Sequence, residues 1–337
     1  MFEVKEIGYM PRVVAFGGGT GMSVLLRGLK KYTNRITAVV TVCDDGGSSG
    51  RLRTGMGILP PGDIRNCLIA LADTEPLMEE LLQYRFKQEE LEGHSFGNLL
   101  LAALTEITGD FQRAIQEANK ILKVQGQVLP STLKRVTLVA THTDGTKTTG
   151  EVQVGKSDKP ILKVELRPRS APVNPEVLDA IEQADIFVFG PGSLFTSIIP
   201  NLLVDGLVEA VMKSPAKKVY VCNIMTQPGE TKGYRASDHI AGIIGHSCPS
   251  FLDYVIVNDR PVPEEAKELY MRQGQYPVEN DLSDNAFDAV VVACDLLGNE
   301  PLVRHDPDKL AFAIIKILLE SLSAHPLVNE NGCDRNG

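Results

Sequence analysis

The sequence predicts an α/β fold built on a mostly parallel sheet, with helices on both faces and a β-hairpin insertion. Three observations carry this. Short β-branched runs alternate with segments whose apolar residues recur at three and four, the pattern of strands covered by helices. Several of these runs end in a glycine-rich or polar loop that feeds a helix. One stretch, 135–156, instead alternates apolar and polar residues around an Asp144-Gly145 turn signal, as a hairpin does.

Taken in order, RVVAF (12–16) reads as the first strand, followed by a glycine cluster and a helix over 22–31. ITAVVTVC (36–43) reads as the second strand, and the DDGGSSG that follows it as a loop. Helical periodicity then covers 64–72, 76–89, 97–107 and 110–123, with Leu99, Ala102, Ala103 and Ile107 marking one face. In the insertion, at about 134–166, Val136, Leu138 and Ala140 form one arm. Val152 and Val154 form the other, and ILKVEL (161–166) extends the sheet. Strands return at 184–190, 217–223, 253–259 and 288–294, and an amphipathic helix over 307–322 closes the fold. Residues 11–325 are expected to form one domain, and 326–337 a disordered tail.

With 337 residues, the chain can bury about three-quarters of its unfolded surface and needs no covalent staples. Its 34 basic and 43 acidic residues give a formal charge of −9. That balance argues against a nucleic-acid or anionic-membrane surface, which needs clustered basic excess. The 6 cysteines form no CxxC pair, and neither a transmembrane run nor a signal peptide is visible. A cytoplasmic location, no membrane insertion and assembly as a homo-oligomer are the expectations.

Ligands of open parallel sheets bind beyond the carboxyl ends of the strands, so the loops there carry the chemistry. The first is Gly17-Gly18-Gly19-Thr20-Gly21. Glycine lets backbone N–H groups approach a phosphate at a helix N-terminus; a plain strand–helix turn is the alternative. It is neither a Walker A loop nor an intact GxGxxG, which weighs against a nicotinamide-dependent oxidoreductase. The second loop carries Asp44, Asp45, Ser48, Arg51 and Arg53. Its paired carboxylates suit a ribose diol or a Mg²⁺ ion held against a diphosphate, and its guanidinium groups suit phosphate oxygens. A solvated turn capped by the two Asp side chains is the bland reading.

The third loop leads into a helix through Asp63, Arg65 and Asn66, where Asp63 is a good N-cap and Arg65 faces the place of an anion. The fourth, Gly93-His94-Ser95-Phe96-Gly97-Asn98, offers Asn98 for a hydroxyl or a base edge, with His94 more in keeping with a structural role. In the fifth, Gly192, Ser193 and Thr196 can cradle a second phosphate or a sugar. In the sixth, Asn223, Thr226 and Gln227 are neutral hydrogen-bonding groups for sugar hydroxyls or base amides. Tyr270 and Arg304 are weaker candidates, an aromatic ring and a guanidinium able to sandwich a base. No nucleophile–base pair is evident, which leaves both a positioning enzyme and a pure binder open.

Together, in this order, FGGGTGMSVLLRGL (16–29), VCDDGGSSGRLR (42–53), PPGDIRNCLIALA (60–72), GHSFGNLLLAAL (93–104), GPGSLFTSIIPNLLV (190–204) and CNIMTQPGETKGY (222–234) resemble the YvcK/CofD family. The resemblance covers about 12–325, and the long DDGGSSGRLR, GHSFGN and MTQPGET runs look like its YvcK-type branch. It implies a Rossmann-like fold with Gly18 to Gly21 near phosphate and Asp44 and Asp45 toward a metal or ribose. Asn66, Asn98, Gly192 and Ser193 would line the same cleft. For the YvcK branch, it implies a UDP-sugar-binding factor needed for cell shape on gluconeogenic carbon sources, acting on a cell-wall or regulatory partner. For the CofD branch, it implies a Mg²⁺-dependent transfer of a phospholactyl group from a guanosine diphosphate donor.

Overall fold

Ten strands are built from the β-branched runs, in the computed structural model, which describes residues 9–298 and 302–323. They are β1 (Val13–Gly17), β2 (Ile36–Val40), β3 (Gln127–Pro130), β4 (Thr137–His142), β5 (Lys147–Thr149), β6 (Ile161–Arg167), β7 (Ile186–Phe189), β8 (Lys217–Val221), β9 (Tyr254–Asn258) and β10 (Val290–Cys294). Seven form a parallel sheet in the order β10-β9-β8-β7-β1-β2-β3, and β5-β4-β6 form a separate antiparallel one. Every residue of β1, β2 and β7 is buried, as expected for strands covered on both faces.

From β1 the chain moves outward through β2 and β3, then returns to place β7 on the other flank of β1 and moves outward again through β8 to β10. The strand order therefore reverses between β1 and β7, where an open α/β sheet leaves a crevice at its carboxyl edge. Val13 pairs with Ile36 on one side and Ile186 on the other. Phe16 stacks on Phe189 across this junction at 4.9 Å, and Phe189 meets Phe251 at 5.1 Å. These contacts join the two halves of the sheet by burying large aromatic area.

Helices α1 (Gly19–Leu29), α2 (Gly47–Met56), α3 (Gly62–Leu71), α4 (Pro76–Gln83), α5 (Phe96–Thr108), α6 (Phe111–Ile121), α7 (Glu151–Gly155), α8 (Pro175–Gln183), α9 (Ile199–Leu202), α10 (Leu207–Lys213), α11 (Ala236–Ile244), α12 (Glu264–Met271) and α13 (Pro307–Ser323) complete the order. A single π-helical turn spans Leu194–Ile198 ahead of α9. The side chains of Leu138, Val154, Val164 and Leu166 join the same buried core as the large sheet, so the insertion is packed onto it.

The α/β fold, the parallel sheet and the antiparallel insertion agree with the sequence expectation. Four local expectations need correction. The DDGGSSG stretch is a helix from Gly47, because the Ser48 and Ser49 hydroxyls and the buried Leu52 side chain have tertiary partners. Val152 and Val154 lie on α7 rather than on a strand, since Asp45 accepts the Val152 N–H at 3.0 Å and starts a helical turn. The helix expected over 76–89 stops at Gln83, where Tyr84–Phe86 runs antiparallel to His94–Phe96. Strand β3 was not anticipated; it is short and ends in Pro130, which an edge position tolerates. The tail assigned to 326–337 lies outside the described residues.

A candidate nucleotide cleft at the strand-order reversal

The β1–α1 turn and the loop after β7 meet almost backbone to backbone. A Cβ on Gly21 would lie 2.4 Å from the Pro191 carbonyl oxygen, and one on Gly18 would lie 2.6 Å from Asp63 Oδ2. Only glycine allows this approach. No side chain caps α1, because its N-cap is Gly18. Asp63 takes the Gly19 N–H, and the next N–H groups, of Thr20 and Gly21, with the positive end of the dipole, lie at a cleft of about 440 Å³, the size of a small-ligand site.

Gly18, Gly19, Thr20 and Gly21 form one wall, and Gly192 and Ser193 the facing one. The loop after β8 supplies Asn223, Thr226 and Gln227, and the far side is closed by Tyr270 on α12 and Arg304 before α13. Much of this polar set is engaged within the protein. Asn223 donates to the Gly192 carbonyl at 2.8 Å and accepts its N–H at 3.3 Å, which fixes the Gly192 turn. Thr226 exchanges hydrogen bonds with Tyr276 and is buried. The Tyr270 hydroxyl accepts the Val303 N–H at 3.1 Å and so holds the segment that carries Arg304.

Two of the groups open to a ligand stand out. Arg304 is the only Lys or Arg lining the cleft among the described residues. Gln227 donates to Ser193 Oγ at 2.8 Å, while its Oε1 is buried with no partner, an acceptor in want of a donor. His305 adds no charge. Burial pushes its pKa down to about 4, and its Nε2 lies 3.2 Å from the Cys222 carbonyl.

The remaining predicted residues gather on the β2 side. Ser48 Oγ lies 2.9 Å from His94 Nδ1 and accepts from Asn98 Nδ2 at 3.0 Å. Arg65 donates to Asn98 Oδ1, Asn66 Oδ1 and Ser95 Oγ, leaving its buried Nε unpartnered. Ser48, Arg65, Asn66 and Asn98 thus belong to one network joining α2, α3 and α5, not to the cleft wall. Arg51 lies outside both groups, donating to the Glu92 carbonyl, and Arg53 ties the insertion to β2 through the Val136 and Cys43 carbonyls.

Asp44 and Asp45 point to different partners. Asp44 accepts the Gly46 N–H at 2.9 Å, while Asp45 holds α7. Asp63 stands in the first turn of α3, whose N-cap is Pro61, and accepts the Gly19 N–H. Burial and the neighbouring Asp44 raise its pKa to about 6. Asp63 thus shares its surroundings with Asp44, while Asp45 is turned to α7. Sequence reasoning missed Glu151 altogether. Burial, and then Asp44, Asp63, Asp45 and Glu230, push its pKa to about 9, so it is a neutral acid near pH 7.

Glu230 was also missed, and it corrects the reading of the fifth loop. Its buried carboxylate accepts the Phe195 and Thr196 N–H groups at 2.8 and 3.2 Å and the Thr196 hydroxyl at 2.7 Å. A carboxyl group, its pKa raised by burial, therefore already fills the amino end of the π-helical turn, and the Thr196 hydroxyl proton is spent on it.

A model of the family described as 2-phospho-L-lactate transferase CofD matches residues 13–297. The gluconeogenesis factor of Bacillus subtilis is 48% identical over 317 residues, covering 93% of this chain and all of that protein. That of Halalkalibacterium halodurans is 48% identical over 307 residues, covering 90% of this chain and 95% of that one. A crystal structure from Bacillus halodurans superposes with a TM-score of 0.89 at 47% identity, covering 91% of this chain and 100% of its own. No helix among the described residues is long and apolar enough to cross a membrane. The chain belongs to the YvcK/CofD family, among relatives named gluconeogenesis factors.

Proposed function

We propose that this protein binds a UDP-sugar along the cleft between β1 and β7 and acts as a regulatory factor for cell shape and cell-wall synthesis during gluconeogenic growth. The observation that carries the reading is the makeup of the free groups. The Thr20 and Gly21 N–H groups at the start of α1 and a lone guanidinium suit a diphosphate, and the orphaned side-chain oxygen of Gln227 suits a hydroxyl or an amide N–H. The bound nucleotide sugar shifts the population of a conformation that a cytoplasmic partner protein recognises. Relatives that share the gluconeogenesis-factor name along nearly the whole chain support it.

A second reading is favoured by the carboxylates at the start of α3, Asp63 beside Gly18 and Asp44 beside Gly62. Asp44 and Asp63 offer oxygen ligands for a Mg²⁺ ion, which keeps several waters and takes its other ligands from phosphate. No group of three or more His, Cys, Asp or Glu that could hold a metal is present among the described residues, so such an ion would lean on its substrate. That arrangement suits a transferase of the CofD kind.

Calorimetric titration with UDP-N-acetylglucosamine and with GDP, each with and without Mg²⁺, separates the two. Saturable binding of the UDP-sugar, with GDP weak, is the expected result. Mg²⁺-dependent GDP binding without UDP-sugar binding would establish the transferase reading instead.

A further inference from the structure

We propose that helices α4 and α5 form a docking face for a basic amphipathic helix of another protein. The proposal supplies a surface for the partner in the reading above, and it is tested without nucleotide, so the two can fail separately.

Both helices carry an apolar stripe that nothing covers among the described residues. On α4, Leu82 is buried, while Leu77, Leu81 and, just past the helix, Tyr84 recur at four and three and are exposed, Leu77 to 75%. On α5, Leu101 and Ala102 are buried, while Leu100, Ala103, Leu104 and Ile107 follow one another along the opposite side. Ile107 is 80% exposed. A surface helix ordinarily turns charged residues to water, yet Glu106 is the only charged residue of α5.

The two helices are clamped where they meet. A Cβ on Gly97 would lie 2.7 Å from the Leu82 carbonyl oxygen, so a glycine is needed for the end of α4 to close on the start of α5. The Phe96 N–H donates to the Tyr84 carbonyl at 2.9 Å, and Tyr84 meets Phe86 edge to face at 5.3 Å. Leu91 adds exposed apolar surface on the connecting loop. Single exposed leucines are ordinary, but two adjoining stripes mark an interface.

Charge narrows the partner. Residues 73–110 hold 9 acidic and 2 basic side chains, a local charge of −7 in a chain whose total is −9. Glu75, Glu80, Glu89, Glu90, Glu92 and Glu106 are exposed, and of the acidic set only Glu79 is in an ion pair among the described residues, with Arg27. The nearby cations do not offset them. Arg85 is tied to the Gly93 carbonyl, Lys87 lies in the loop between the helices, and Arg51, reaching in from α2, is tied to the Glu92 carbonyl. An apolar centre with an acidic rim fits a helix that carries apolar residues on one side and Lys or Arg on its flanks. The same rim repels phosphates of nucleic acid and anionic lipid. A second copy across a two-fold axis would set glutamates against glutamates.

The probe is a synthetic peptide of about 18 residues with Leu at i, i+3, i+4 and i+7 spacing and Lys elsewhere. Its controls are a scrambled peptide of the same composition and one with Glu in place of Lys. Fluorescence anisotropy on the intact chain is expected to show the probe binding at least about tenfold tighter than either control, and weakening as salt rises. The double variant Leu77→Ser, Ile107→Ser should lose about tenfold in affinity at an unchanged melting temperature, because both side chains are exposed. Leu162→Ser, an equally exposed position in the insertion, should bind as the parent does. Equal binding of the scrambled peptide, or full-strength binding by the double variant, overturns the proposal. A concentration-dependent dimer, or adhesion to phosphatidylglycerol vesicles, that the double variant abolishes also overturns it, and assigns the face to a second copy or to a membrane.

Discussion

Arg304 stands alone as the cation of the cleft among the described residues, which makes it the sharpest single-residue test. Arg304→Ala should weaken UDP-N-acetylglucosamine binding by about 10- to 100-fold, the range for a charge-assisted hydrogen bond. Arg304→Lys should recover only part of it, because an ammonium lacks the planar fork. Calorimetry on the two variants checks this, and unchanged affinity in the Ala variant would remove Arg304 from the site. Glu151 gives a pH test. Its pKa is about 9 in the fold against an ordinary 4.5, so unfolding between those values releases a proton and stability falls as pH rises. Glu151→Gln removes that slope. Its melting temperature should match the parent near pH 5 and exceed it by a margin that grows to several degrees toward pH 8.5. A constant difference across that range would show that Glu151 does not titrate as described. Neither role could be read from the sequence. Arg304 and Glu151 stand 153 positions apart, each outside the glycine loops, and only the return of the insertion onto β2 brings Glu151 beside Asp44.

Among elements, the strands and long helices were legible because their burial follows their period. Those that were not are held by tertiary contacts against local preference. Helix α2 is GSSGRLRTGM, rich in glycine and serine, and forms because Ser48, Ser49 and Leu52 have partners elsewhere. Helix α7 carries an alternating EVQVG, yet Asp45 turns it into a helix from 107 residues away. The π-helical turn depends on Glu230 in the same manner. Replacing Glu230 with Ala would leave the Phe195 and Thr196 N–H groups buried without an acceptor, at a cost of about 1–3 kcal/mol for each unsatisfied group. The expected result is a clear drop in melting temperature together with loss of ligand affinity, since Ser193 precedes that turn. A melting temperature equal to the parent's would show that water replaces the carboxylate freely.

For the whole molecule, the cleft exists because the strand order reverses at β1 and β7, and Gly21 is the point where the two halves touch. Gly21→Ala would press a methyl group onto the Pro191 carbonyl, 2.4 Å away, and cost about 1–3 kcal/mol through forced backbone shifts. Ligand affinity should fall with stability in that variant, because the same shift moves the N–H groups of α1. The glycine loops announced this junction in the sequence; the division of labour around it was not visible there. Asn223 and Thr226 line the cleft and also hold its loops, while the network of Ser48, Arg65, Asn66 and Asn98 binds helices together. A polar residue in a loop looks the same in sequence whether its partner is a ligand or a carbonyl.

The central claim is that the diphosphate of a UDP-sugar lies at the amino end of α1. A crystal structure of the protein with UDP-N-acetylglucosamine tests it most directly. The account predicts phosphate oxygens within hydrogen-bond distance of the backbone N–H groups of Thr20 and Gly21 and of the Arg304 guanidinium. Phosphates bound instead among Asn66, Asn98 and Arg65, or away from the carboxyl edge of the sheet, would contradict it.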